Sequence, residues 1–382
     1  MEGAREPILL KNLSALVGSI NDRLSVLRAE SALLDAWGLR VGEKDKSGLV
    51  IDCGGGVAAQ APFDAFTASV PGDDLCPRTT IGPLDVELLA RWNLTWHLAL
   101  GFTGLSMAVP TGIVTLTSSA ARALERHPLA HDRTLVCLSE TELLREERAS
   151  LDEVEKIVEE RRALTLLAGL SRYTTLKFIE VFGRSPLDYI VAKLGEALDL
   201  LVVVTSGWLT SRDLELAKKR REIRLVHCPH LSAWRGRGGE LPLDELVYAM
   251  RGRIFLGLCE PGFLTPYTNS WQPLLLERSL VAYTRWREIE VGDLASMMFS
   301  GWSLVDESKS QIGRGYSPDL LIYERPRSLG PGSSLLLELS SLKPKLALID
   351  GLPIDLRRFE EESEKLYTNF RETSTLKPHR DA

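Results

Sequence analysis

Apolar and polar positions change rhythm twice along this chain. The first fifty residues alternate short apolar runs with turns and end in Leu49-Val50-Ile51-Asp52-Cys53, followed by Gly54-Gly55-Gly56. Such punctuation predicts strands without helical crossovers. From about Pro62 to Leu304 the pattern becomes apolar runs separated by long amphipathic segments, as expected of parallel strands with helical crossovers. Strands are expected at 113–116, 135–138, 200–204, 224–227 and 254–258. Ser150 with Glu153, and Thr210 with Asp213, have the spacing of capping boxes and open helices expected over 151–167 and 211–221. After Gly313 the strand rhythm returns at 320–323, 335–338 and 346–349. Leu356, Phe359, Leu366 and Phe370 share a helical face over 356–370, and 371–382 reads as a disordered tail.

The expected division is therefore 1–58 as the first part of a β domain, 59–309 as a barrel, 310–355 as the rest of the β domain, and 356–382 as a terminal helix and tail. At 382 residues the chain is long enough for one large α/β barrel and a small second domain. The uncharged stretch 98–117 has the length of a membrane span, but Gly101, Gly104, Pro110 and Gly112 break it into a buried helix, a turn and a strand.

Charge and composition narrow the function classes. A net charge of -6, with no basic cluster interleaved with aromatics, argues against nucleic acid as a partner. No apolar leader precedes the first strands, so the expectation is a cytoplasmic protein without a membrane anchor. Five scattered cysteines (Cys53, Cys76, Cys137, Cys228, Cys259) without a CxxC pair read as reduced thiols. Glutamine occurs only at positions 60, 272 and 311, a thermophile-like bias.

Five stretches resemble the amidohydrolase superfamily, in its cytosine deaminase and chlorohydrolase branch. They are 50–55 running into Pro62-Phe63-Asp64-Ala65; 182–189; 204–213 with Val226-His227-Cys228-Pro229 and the glycine-rich Arg235-Gly236-Arg237-Gly238-Gly239; Leu256-Gly257 with Asn269-Ser270; and 312–322 with 349–353. The resemblance implies a (β/α)8 TIM-like barrel, an α/β fold, with a small β-sandwich domain built from both chain ends. It also implies metal-dependent hydrolysis or deamination of non-peptide C–N bonds, with zinc or iron held at the C-terminal mouth of the barrel.

The ligands that the resemblance calls for are missing. The His-x-His of the first strand falls on Phe66 and Ala68, the fifth-strand His near Leu167 with the proton-shuttling Glu that follows it near Leu170, the sixth-strand His on Thr205, and the eighth-strand Asp on Cys259. Phenyl and alkyl groups donate no lone pair to a cation, so no metal or other cofactor is expected. The primary expectation is a catalytically degenerate relative that binds or regulates. Its partner is left open between a small molecule, another protein and further copies of the chain.

Some chemistry remains to be weighed. His227 could join Cys228, His230, Cys259 and Glu260 in a rebuilt soft-metal or hydrolytic site, or be an inherited strand-end residue. Cys259 could be a nucleophile with His227 as its base, or a buried thiol. His127 and His131 are separated by Pro128, which argues for a surface loop, and the Arg235–Gly239 run reads as a mobile mouth loop rather than an anion cradle. Trp208, Trp234, Tyr267 and Trp271 either line an apolar pocket or plug the mouth.

Overall fold

The computed structural model describes residues 6–43, 48–68, 83–110, 131–145, 149–169, 171–229, 241–258, 270–271, 289–327, 329 and 332–373. Their strands form two sheets. The first has eight strands in the order β15-β14-β13-β5-β1-β3-β4, with β2 beside β1. It joins β1 (Ile8–Ile20), β2 (Arg23–Leu27), β3 (Ser31–Asp35), β4 (Gly38–Val41) and β5 (Leu49–Gln60) to β13 (Leu320–Tyr323), β14 (Leu346–Ile349) and β15 (Leu352–Ile354). The two chain ends meet where β13 runs antiparallel to β5, with Leu320 opposite Gln60.

The second sheet runs in strict chain order through β6 (Phe63–Ala68), β7 (Gly104–Pro110), β8 (His131–Ser139), β9 (Ala163–Leu167), β10 (Leu200–Thr205), β11 (Ile223–His227) and β12 (Ile254–Leu256). Its ladders are parallel. β10 reads LLVVVT and is buried at every position, as a strand covered on both faces must be. The described residues supply seven strands where eight were expected, and each pairs directly with its neighbour in sequence. No described ladder joins β6 to β12. The seam is instead closed by a side chain, for the Leu258 N–H donates to Asp64 Oδ1 at 2.8 Å. Gly257 allows the approach, since a Cβ there would lie 3.0 Å from the Phe66 nitrogen.

Helices cover the outer face: α1 (Pro83–Leu100), α2 (Glu140–Arg145), α3 (Ala149–Arg161), α4 (Arg172–Phe182), α5 (Pro186–Leu194), α6 (Ser211–Lys219), α7 (Leu243–Ala249) and α8 (Val291–Ser300), with α9 (Gly332–Leu339) and α10 (Arg357–Thr373) towards the C-terminus. Two expectations are corrected. The helix expected over 151–167 stops at Arg161 because Arg162 adopts φ 51°, and the chain turns directly into β9. The strand expected at 335–338 is α9, for its leucines are strong helix formers and the run holds no β-branched residue. The second capping box is present, with Asp213 N–H donating to Thr210 Oγ1 at 3.2 Å and Thr210 N–H to Asp213 Oδ2 at 2.9 Å. α10 extends to Thr373, into the expected tail, and buries Phe359 and Leu366. The expected strand 113–116 lies outside the described residues.

The barrel floor is closed by the 3-10 turn Gly301–Leu304. Trp302 packs on Phe63 at 5.2 Å between ring centroids, and its indole N–H donates to the Ala61 carbonyl at 2.9 Å. Beneath it, buried Lys309 pairs with Asp319 at 2.5 Å and Asp350 at 3.0 Å, which ties the floor to the β domain. No helix among the described residues is long and apolar enough to cross a membrane.

Candidate functional site

In an α/β barrel the chemistry sits at the C-terminal ends of the strands, and strand parity decides which side chains reach it. On β10, Leu200, Val202 and Val204 join Val226 of β11, Phe255 of β12 and Leu167 of β9 in one buried cluster, the barrel interior. The alternate residues, Leu201 and Val203 with Leu225 and Leu256, pack instead against the helices.

Phe66 and Leu167 belong to the interior cluster and are 1% and 0% exposed. Ala68 lies at the end of β6, opposite Ala108 of β7. Thr205 shares the parity of Leu201 and Val203 and so belongs to the helix-facing layer. Its hydroxyl donates to the Gly169 carbonyl at 3.4 Å and accepts the Gly207 N–H at 3.0 Å. The inward residue at that level is Val204, so correcting the register by one residue replaces a hydroxyl with another alkyl group. The fit test for a metal therefore fails at each described position: phenyl, isobutyl and isopropyl groups hold no cation.

Of the candidates for a rebuilt site, His227 and Cys228 lie among the described residues. His227 is buried, pairs in register with Thr205 and shares its outward parity. Cys228 faces the interior, and it is disulfide-bonded, which corrects the expectation of reduced thiols throughout and removes it as a thiolate ligand. Cys259, Glu260, His230, Leu170, His127, Trp234, Tyr267 and the Arg235–Gly239 loop lie outside the described residues. Among the described residues no three His, Cys, Asp or Glu side chains gather as a metal-binding group. Cys53 and Cys137 are not disulfide-bonded; burial, with Asp52 beside it, pushes the Cys53 thiol up to about 11, so it is no ready nucleophile.

The tryptophans part company. Trp271 is fully buried, and its indole donates to Tyr323 of the β domain at 2.8 Å, so it belongs to the core rather than to a pocket. Burial in turn pushes the Tyr323 phenol up. Trp208 stays at the barrel mouth, with its backbone N–H on the Gly169 carbonyl at 3.1 Å and Arg172 above its ring at 5.8 Å. Nearby, the buried Glu140 carboxylate, just past the end of β8, accepts the Gly169 N–H at 3.0 Å.

Sequence reasoning gave no role to a buried acid–imidazole pair. Asp64 Oδ2 lies 2.7 Å from His97 Nε2, and neither side chain is exposed. His97 Nδ1 donates to the Asn93 carbonyl at 2.7 Å, so one proton sits between the ring and the carboxylate. Asp64 Oδ1 meanwhile accepts from Phe66 N–H at 3.2 Å and from Leu258. The pair faces α1, away from the interior cluster, and Asp64 ties the seam. Its signal was a histidine in the last turn of the helix, set among Trp96, Leu98, Ala99 and Leu100.

No protein-family model and no curated protein sequence matches this chain. Solved structures do. An atrazine chlorohydrolase from Arthrobacter aurescens TC1, solved with zinc, superposes with a TM-score of 0.70 at 14% identity, over 94% of this chain and 99% of its own. A triazine hydrolase variant gives the same score, identity and coverage. An amidohydrolase from a Sargasso Sea environmental sample gives 0.65 at 14% identity, over 96% of this chain and 99% of its own. Strand order and these superpositions together establish that the chain has the amidohydrolase fold, an α/β barrel joined to a β domain drawn from both chain ends.

Proposed function

We propose that this chain is a metal-free, catalytically silent descendant of an amidohydrolase that now works as a binding or regulatory protein. One observation carries the reading. Phe66 and Leu167, which stand where the resemblance puts ligand histidines, pack in the barrel interior with Val204, Val226 and Phe255. Apolar side chains pack together there, which supports contact in place of coordination.

Elemental analysis of the purified chain tests this, together with an assay for hydrolysis of atrazine, the compound named for one structural neighbour. The expected result is far less than one zinc or iron per chain and no turnover above background. Stoichiometric zinc or iron that disappears in Cys259→Ala would overturn the proposal in favour of a hydrolase with a site rebuilt around His227, Cys259 and Glu260.

A further inference from the structure

Between α1, the β domain and the start of α10 lies a cleft of about 510 Å³. Small-molecule sites occupy roughly 300–1,000 Å³, so the space is large enough for a ligand. Its apolar wall is made by Ala99, Pro344 and Leu356.

The charges around it come as pairs. Lys343 binds Glu360 at 2.8 Å, Lys345 binds Glu324 at 3.0 Å, and Arg357 binds Asp355 at 2.6 Å. Cationic and anionic groups thus stand side by side around an apolar wall, with Asp355 next to the cleft rather than in its lining. A simple anion or cation meets like charge as well as opposite charge there, whereas a molecule carrying both charges finds a partner at both ends. Spare capacity exists on each side. An ammonium has three donors and a carboxylate about four acceptor positions, and the ion pairs described here use only some of them. The pairs are exposed, so opening one to admit a ligand costs little.

We propose that this cleft binds a small zwitterion of the α-amino-acid kind with an apolar side chain. Its carboxylate goes to Lys345 and Arg357, its ammonium to Glu360, and its side chain to Pro344 and Leu356. The site is remote from the barrel interior in its residues, so it stands or falls independently of the metal-free reading.

L-Phenylalanine is the probe, and two analogues each lack one charge: phenethylamine and 3-phenylpropionate. Calorimetric titration of the full chain is expected to give saturable binding of L-phenylalanine, with both analogues weaker by about tenfold. Glu360→Gln and Lys345→Gln are each expected to weaken L-phenylalanine by a similar factor. Both positions are exposed, and an unchanged melting temperature shows that the variants remain folded. Absence of saturable L-phenylalanine binding, equal binding of either analogue, or full affinity in both variants would overturn the proposal.

Discussion

Phe66 shows what a single side chain decides in this protein. Restoring a ligand type there, by Phe66→His, puts an imidazole among valine and leucine groups without a second ligand or a hydrogen-bond partner. The expected result is a loss of about 2–4 kcal/mol of stability, from lost packing and an unsatisfied polar ring, with no gain in zinc affinity. Urea denaturation with and without zinc measures both. A variant as stable as the parent, or one stabilised by zinc, would show that the interior has polar room. Residue identity at this position was fully legible in the sequence. Orientation was legible only in part, since Thr205 was placed by matching its neighbours, and its helix-facing parity emerges from the packing of Leu201 and Val203.

At the scale of elements, the informative feature is a strand edge closed by a carboxylate. Asp64 accepts two backbone N–H groups and holds His97, so Asp64→Asn removes a charge-assisted acceptor and leaves a buried imidazole facing an amide. Breaking a buried pair of this kind costs about 3–5 kcal/mol, to be read by chemical denaturation. Hydrogen exchange at the Leu258 amide is expected to rise with it. Should Asp64→Asn lose less than about 1 kcal/mol, the carboxylate is not what holds the seam. Elements with strong local signals were readable: β10 and β11 from their apolar runs, α6 from Thr210 and Asp213. Where local signals conflicted, reading failed. Arg162 is an ordinary residue in sequence, yet its left-handed backbone ends α3 and starts β9. An apolar run as short as that of α9 carries no clear period, so its strand-like rhythm hides the helix propensity of its leucines.

Over the whole molecule, barrel and β domain are clamped through Lys309. Lys309→Met removes the ammonium that Asp319 and Asp350 share, and the expected loss is about 3–5 kcal/mol in a thermal or urea melt. A neutral effect would show that the triad contributes specificity rather than stability. That the β unit draws on both chain ends could be read from the returning strand rhythm, whereas the clamp could not, because Lys309 and Asp350 acquire meaning only when the ends meet.

That meeting has a consequence for synthesis. The β5 edge that receives Leu320–Tyr323 is made before the barrel strands, and its mate leaves the ribosome only after them. Throughout that interval the nascent polypeptide carries an open row of backbone donors and acceptors, the kind of template on which neighbouring polysomal chains can add strands wrongly. Production of this protein is therefore expected to reward slow elongation and abundant chaperones, and a circular permutant that joins the two halves of the β domain in sequence would relieve the hazard at its source.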